Sequence, residues 1–393
     1  MKPLLPGATL GVLGGGQLGR MFAQAAQRLG YTTVVLEPEP NAPAAQVSPS
    51  PIVSAYDDAS GLAELAKRAQ AVTTEFENVP AAALTQLAAH VPVRPQADAV
   101  AIAQDRRREK AHFTACQVPL APHAVIASEA DLAAVSPTLL PGILKTARLG
   151  YDGKGQRRVA HAGELAAAWA ALGPAPCVLE QLLPLDFECS VIVACGADGQ
   201  AVHLPVQRNL HREGILALTE VGPGAVPEAL SEALVAAAHT VAQGLDYVGV
   251  LCVEFFVLRD GRWVVNEIAP RPHNSGHYSM DACDVSQFDL QVRTLAGLPL
   301  TAPRLHSAAV MLNLLGDLWL PTARPRKPRL GPTCSPCPVR ICTSTASTRR
   351  GAVARWATST SRPPHWRRPA RKPKRRRTCW AWPRFEHARR SKP

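Results

Sequence analysis

Thr9–Leu13 is a short apolar strand that runs into Gly14-Gly15-Gly16-Gln17-Leu18-Gly19-Arg20 and then into a helix reaching about Leu29. A second strand, Thr32–Leu36, follows and ends at Glu37. Strand, glycine turn, helix and strand at this spacing commit the start of the chain to an α/β open sheet. Gly14, Gly16 and Gly19 also satisfy the spacing of a dinucleotide-binding turn, and Glu37 lies near where a ribose-binding acid belongs. A nicotinamide-dependent oxidoreductase is therefore one reading. The spacing alone is weak, because any strand-turn-helix that binds phosphate or packs tightly can use it. A further strand at 71–74 leads to Glu75-Phe76-Glu77-Asn78-Val79-Pro80. Acids at the carboxyl end of a parallel strand face the ligand crevice, with helix capping as the plainer role.

The second informative stretch covers residues 142–156. It delivers Lys145 at a strand end, then a loop containing Gly150, Tyr151, Asp152, Gly153, Lys154, Gly155 and Gln156. Glycines let backbone amides approach an anion, and lysines neutralise it, so the loop suits a flap over a polyphosphate. It is not of the Walker type, since no Lys-Ser or Lys-Thr pair opens a helix after the last glycine. A basic surface hairpin is the alternative.

Charge divides the chain. Through Leu320 there are 22 Lys and Arg against 30 Asp and Glu; from Pro321 there are 21 against one, so the overall +12 averages two unlike parts. The first part reads as an alanine-rich, mildly acidic enzyme. The second is a Pro/Arg/Ser/Thr/Trp mixture without apolar period, expected to be disordered. Cys116, Cys177, Cys189, Cys195, Cys252 and Cys283 are scattered, several within apolar runs, as reduced core thiols of a cytoplasmic protein would be. No signal peptide opens the chain, and no apolar run is long enough to span a bilayer, so a soluble protein without a membrane partner is expected.

From Asp98 a polar helix carries Arg106, Arg107, Arg108 and Lys110, a cation run that mostly reads as a solvated face. Strands at 177–182 and 187–194 place Glu180 and Glu188 near one cleft, and a polar strand or loop at 206–212 bears His211. Strands at 250–258 and 262–268 are joined through Asp260-Gly261, a two-residue hairpin signal. With Asp260 and Gly261 central, Glu254 pairs directly with Glu267. Opposed like charges destabilise a hairpin unless a cation lies between them, and Mg²⁺ takes one or two carboxylates together with nucleotide phosphates. The donor-rich loop Ala269-Pro270-Arg271-Pro272-His273-Asn274-Ser275-Gly276-His277 follows, and Arg271 can fork onto a carboxylate or phosphate. A helix through 289–293 and a strand at 308–314 come after it.

Taken in order, the Gly14-to-Arg20 turn, Thr74-to-Pro80, Tyr151-to-Gln156 and Arg271-to-His277 resemble the 5-(carboxyamino)imidazole ribonucleotide synthase family of ATP-grasp enzymes, over about residues 7–320. The resemblance implies an ATP-grasp fold with an N-terminal open-sheet pre-ATP-grasp domain (1–97), the ATP-grasp domain (98–300), the start of a small C-terminal domain (301–320) and a basic tail (321–393). It implies that ATP phosphorylates bicarbonate to carboxyphosphate, which then carboxylates the amine of aminoimidazole ribonucleotide. By the same resemblance Arg106, Lys145 and Gly150 to Gln156 would hold the ATP phosphates. Glu180, Gln181, Leu182 and Leu183 would line the adenine pocket, and Glu188, His211 and Asn266 would also contact the nucleotide. Glu254 and Glu267 would bind Mg²⁺, or Mn²⁺ in its place. Gln17, Leu18, Glu75, Tyr151, Asp152 and Asn274 would face the imidazole ribonucleotide. Arg271 and His273 would sit by bicarbonate, completing a catalytic set with Lys145, Tyr151 and Asp152. A homodimer is implied as well. Another carboxylate-using ATP-grasp ligase, or an impaired remnant whose basic tail binds nucleic acid nonspecifically, are the alternatives.

The resemblance breaks where the family carries Tyr-Gly-Lys and then Arg-Lys-Met-Gly-His. Codons for residues 337–347, read one nucleotide upstream, can spell Leu-Pro-Gly-Ala-His-Leu-His-Leu-Tyr-Gly-Lys. Those for residues 354–361 can spell Arg-Lys-Met-Gly-His-Val-Asn-Val. A one-nucleotide frameshift between about Leu320 and Cys334 is therefore expected. A tail that uses Cys334, Cys337, Cys342 and Cys379 for zinc is the weaker reading, because the spacings are irregular.

Overall fold

The computed structural model describes residues 2–150, 155–173, 175–212 and 214–314, and the backbone of 357–361. Three sheets organise these residues. The first is parallel, in the order β2-β1-β3, with β1 Thr9–Leu13, β2 Thr32–Leu36 and β3 Ala71–Thr74. Its strands are buried almost throughout, as expected of a parallel sheet covered on both faces. Helices α1 (Gln17–Arg28), α2 (Ala59–Arg68) and α3 (Ala81–Ala88) are its connections and cover. Leu10, Val12 and Phe22 pack there against Phe288, Val292 and Leu295 from much later in the chain.

Residues 97–115 form two helices, α4 (Ala97–Ala103) and α5 (Arg106–Ala115), where one helix from Asp98 was expected. The break is local chemistry. Asp105 adopts extended angles and its carboxylate accepts the amide of Arg107 at 3.1 Å, so it ends one helix and caps the next.

The second sheet is antiparallel, in the order β4-β7-β5-β6, from β4 His123–Ile126, β5 Gly142–Thr146, β6 Gln156–Val159 and β7 Cys177–Gln181. Helices α6 (Glu129–Ala133) and α7 (Ala162–Ala171) accompany it, and Leu165 of α7 is buried with Leu144 and Leu179.

The third sheet runs β13-β12-β8-β10-β11-β14-β15, with β9 on the side of β8. Its strands are β8 Leu185–Cys195, β9 Ala201–His203, β10 Gln207–Arg212, β11 Ile215–Val221, β12 Gly249–Leu258, β13 Trp263–Ala269, β14 Ala309–Leu314 and β15 Ala357–Ser361. Helix α8 (Glu228–Gly244) lays Leu234, Ala238 and Val241 on Val191, Leu251 and Phe255, each almost wholly buried. Full burial of one such large side chain contributes roughly 1.5–3 kcal/mol. After the short helix α9 (Ser279–Ala282), α10 (Gln287–Ala296) opens with a Ser286/Asp289 capping box and stops at Gly297, whose φ is +69°.

Within the tail, β15 pairs antiparallel with β14 from Val310↔Ser361 to Leu314↔Ala357. Its Ala-Thr-Ser-Thr-Ser sequence contains β-branched residues that fit a strand. The rest of the tail, including the proposed zinc cysteines, lies outside the described residues. The six earlier cysteines are free thiols, four of them buried. Among the described residues no helix is long and apolar enough to cross a membrane.

Candidate active site

A cleft of about 1560 Å³ gathers residues from the carboxyl end of the first sheet, from the second sheet and from the β12–β13 hairpin. It is lined by Gln17, Leu18, Glu75, Arg106, Lys145, Gly150, Gln156, Glu180, Gln181, Leu182, Leu183, Glu188, His211, Glu254, Asn266, Glu267, Arg271, His273 and Asn274. Tyr151, Asp152, Gly153 and Lys154 lie outside the described residues. Gly155 is described but does not line the cleft; its carbonyl accepts the amide of Thr146 at 2.8 Å, closing the β5–β6 turn.

At the first-sheet end, the glycine turn is filled by the protein itself. Glu75 is buried, and its two carboxylate oxygens accept the amides of Gly16 and, at 2.6 Å, of Gly19. A Cβ on Gly14 would lie 2.4 Å from Glu75 Cγ, and one on Gly16 would lie 2.5 Å from Glu75 Oε1. The glycines are thus required by the approach of Glu75. The seat that a dinucleotide reading reserves for pyrophosphate holds a carboxylate at the positive end of α1. Burial pushes the Glu75 carboxyl up to about 7 against the pull of the two amides. Glu37 is likewise engaged, accepting from Gly15 N at 2.7 Å and from the Tyr56 hydroxyl at 2.5 Å.

The cation run of α5 is not a solvated face, as the composition suggested. Arg106 and Lys110 turn inward with Glu109, while Arg107 pairs with Asp105 at 2.6 Å and only Arg108 is exposed. Positions 106, 109 and 110 share one side of a helix. Arg106 pairs with Glu267 at 2.8 Å. Lys110, 1% exposed, lies 3.3 Å from Glu180 Oε1, and Lys145 is 2.9 Å from Glu180 Oε2. Burial disfavours the Glu180 anion, but Lys145 and Lys110 outweigh it and hold the carboxyl down to about 2. Glu109 and Lys110 are the buried charges beside the site that a reading by composition misses. The signal available was their position one turn from Arg106.

The hairpin departs from the two-residue turn. Leu258 N donates to Arg262 O, leaving Arg259, Asp260 and Gly261 in the loop, with Gly261 at φ +84°. This shifts the register by one, to Val257↔Trp263. A bulge restores it at Val253↔Ile268, so Glu254 faces two residues, Asn266 and Glu267, and not Glu267 alone. The two acids still influence each other. Burial, then Glu267, raises the Glu254 carboxyl, whereas Arg106 overcomes burial to lower that of Glu267.

Around them, His273 Nε2 lies 3.1 Å from Glu254, His211 is paired with Glu188, and Arg271 Nε donates to Glu77 at 2.5 Å. Burial drives His273 well below its usual range, so its ring is neutral; His211 is raised because Glu188 outweighs burial. The side-chain oxygens of Asn266 and Asn274 are buried without a partner among the described residues. Cys252, Glu254 and His273 each bring a ligand atom within 4.8 Å of the others, a mixed S/O/N set of softer character than the oxygens of Glu254, Glu267 and Asn266.

A model of the ribonucleotide synthetase preATP-grasp domain matches residues 7–104, and one of the ATP-grasp domain matches residues 111–288. The chain is 47% identical over 317 residues to the N5-carboxyaminoimidazole ribonucleotide synthase of Brucella melitensis, covering 80% of this chain and 87% of that one. To the Bacillus subtilis protein of the same name it is 37% identical over 315 residues, covering 80% and 83%. The crystal structure of N5-carboxyaminoimidazole synthetase from Staphylococcus aureus complexed with ADP superposes with a TM-score of 0.85 at 34% identity, over 93% of this chain and 95% of that one. A carboxyaminoimidazole ribonucleotide synthase from an Aspergillus, complexed with ATP, gives 0.81 at 28% identity over 91% and 94%. With a cleft that joins an open-sheet crevice to paired acids on a hairpin, and with these matches across both halves, the chain belongs to the N5-carboxyaminoimidazole ribonucleotide synthase family of ATP-grasp enzymes.

Proposed function

We propose that this chain uses ATP to carboxylate 5-aminoimidazole ribonucleotide with bicarbonate, in purine biosynthesis. The observation that carries the reading is the single cleft in which Arg106, Lys145 and the start of the glycine flap face Glu254 and Glu267, with the Glu75 crevice at its other end. In this reading a bicarbonate oxygen attacks the γ-phosphorus, releasing ADP and forming carboxyphosphate. The ribonucleotide amine then attacks the carboxyphosphate carbon, the C–O bond to phosphate breaks, and the amine proton leaves as the carbamate forms.

The roles follow from the chemistry of the side chains. Arg106, Lys145 and the flap from Gly150 to Gln156 hold the polyphosphate, since phosphoryl transfer is accelerated chiefly by positioned cations. Glu180, Gln181, Leu182, Leu183, Glu188 and His211 form the nucleoside end. Gln17, Leu18, Glu75 and Asn274 face the ribonucleotide, together with Tyr151 and Asp152. Arg271 and neutral His273 stand by bicarbonate, where a cation and a hydrogen-bonding imidazole suit a developing dianion. Closure of the flap excludes water from carboxyphosphate, which hydrolyses readily.

The donors present fit a hard divalent cation. Glu254 and Glu267 are like charges at one bulge, and the orphaned Asn266 Oδ1 adds a third oxygen. Mg²⁺ or Mn²⁺ held there would supply charge neutralisation for the phosphate oxygens. A homodimer, a cytoplasmic location and the domain limits at about 97 and 300 belong to the same proposal, as does the frameshift after Leu320. The test is ADP release measured with each substrate omitted in turn. Release that needs both bicarbonate and aminoimidazole ribonucleotide supports the reading. Release driven instead by another carboxylate and amine would favour a different ligase.

A further inference from the structure

Three contacts from one side of α5 converge on three consecutive residues of β13. Arg106 pairs with the Glu267 carboxylate at 2.8 Å. Glu109 Oε1 accepts the amide of Ile268 at 2.8 Å, and Lys110 Nζ donates to the carbonyl of Asn266 at 2.8 Å. Glu109 and Lys110 therefore grip the backbone immediately before and after Glu267, and both are almost wholly buried, at 2% and 1% exposure. The place they grip is the bulge, where β13 carries one residue more than β12. β13 is the edge strand of its sheet, so the buried backbone groups on its outer side need partners from elsewhere. A lysine and a glutamate brought in from a helix satisfy that need and fix the rotation of the strand at Glu267. Lys110 reaches Glu180 as well, tying the bulge to β7.

We propose that Glu109 and Lys110 are positioning residues that hold the β13 bulge so that Glu267 is aimed at the metal–nucleotide site. The inference rests on the reading of Glu267 as a metal ligand given above. Neither residue touches substrate in this account; both act through Glu267. A purely structural role would lower stability and shift all kinetic constants together. A positioning role moves the metal constant selectively.

The experiment compares Glu109→Asp, which keeps the charge but is too short to reach Ile268 N, with Glu109→Gln, which keeps the reach and the acceptor without the charge. The readout is Mn²⁺ binding in the presence of ATP, followed by the loss of the free-Mn²⁺ resonance signal, alongside KM for the ribonucleotide. Glu109→Asp is expected to weaken Mn²⁺ binding about tenfold, the low end for residues that orient a metal ligand, and Glu109→Gln to restore most of it. KM for the ribonucleotide stays at the wild-type value in both. Lys110→Met is a second variant with the same expectation as Glu109→Asp. Glu267→Gln separates the two levels of the argument. If Glu267→Gln abolishes Mn²⁺ binding while Glu109→Asp and Lys110→Met leave it unchanged, the positioning role is wrong and the ligand assignment stands. If Glu267→Gln itself leaves Mn²⁺ binding unchanged, both are overturned.

Discussion

Glu75 accepts the amide of Gly19 at 2.6 Å, and its second oxygen takes the amide of Gly16, so a buried carboxylate occupies the positive end of the first helix. Two consequences can be measured.

The first is a pH dependence of stability. The folded-state Glu75 carboxyl is raised to about 7 from an ordinary value of 4.5, chiefly by burial. The folded state therefore binds the proton more tightly than the unfolded chain. Its contribution is fully present below about pH 4.5, is lost as pH rises toward 7, and is constant above that. The difference between the ends is on the order of 3 kcal/mol. Urea midpoints of wild type and Glu75→Gln are expected to differ in pH slope between about 4.5 and 7 and to run parallel below and above that window. Parallel curves throughout would show that Glu75 does not titrate there.

The second concerns the glycine. In Gly16→Ala the new methyl would lie 2.5 Å from Glu75 Oε1, so one of the two must move. Overpacking of this kind costs about 1–3 kcal/mol. KM for the ribonucleotide is expected to rise while ATP affinity is kept. Unchanged ribonucleotide kinetics would show that Glu75 and its turn do not hold the ribonucleotide.

The strands were legible because apolar runs bounded by glycine, proline or charge mark them well: Thr9–Leu13, Thr32–Leu36 and Ala71–Thr74 lie where the sequence places them. Less legible was anything set by long-range contact. Asp105 looks like one more charge in a polar helix until its side chain is seen to cap α5. Counting residues outward from Asp260-Gly261 cannot register a three-residue loop compensated by a bulge. Lys110 reads as solvated because nothing local announces that Glu180, 70 positions later, is its partner. Glu254 and Glu267 were recognisable as neighbours for a simpler reason: even with the loop and the bulge, their strands pair antiparallel.

Lys145 and Lys110 share the Glu180 carboxylate from opposite oxygens. Lys145→Met leaves that buried anion with one ion-pair partner and removes a cation from the end of the cleft proposed to hold polyphosphate. Loss of a preorganised charge at a transferring group costs about 10²–10³ in kcat. Steady-state rates at saturating ATP check this, with Glu180→Gln as a companion that affects nucleotide binding more than turnover. A Lys145→Met rate within a few-fold of wild type would place the lysine outside the chemistry.

Glu254→Gln and Glu267→Gln each remove one carboxylate from the bulge. Both variants are expected to need more than about tenfold more Mg²⁺ for half-maximal rate, since loss of a ligand acts at least as strongly as loss of a residue that orients one. Titration of the rate with Mg²⁺ at fixed ATP gives the number. Wild-type Mg²⁺ dependence in both would rule out the bulge as the metal site.

The tail offers a test at the level of the gene. Sequencing the coding DNA is expected to show that one base change after Leu320 restores the Tyr-Gly-Lys and Arg-Lys-Met-Gly-His words. The second of these would place Gly-His-Val-Asn-Val on β15, already paired with β14. The restored chain should show a lower KM for the ribonucleotide with ATP affinity unchanged. If no single-base shift recovers both words, the tail is a true product.

The most direct measurement follows oxygen. With ¹⁸O-labelled bicarbonate, ATP and aminoimidazole ribonucleotide, attack of bicarbonate on the γ-phosphorus predicts one ¹⁸O atom in each phosphate released. Unlabelled phosphate, or phosphate released equally well without the ribonucleotide, would contradict carboxylation through carboxyphosphate.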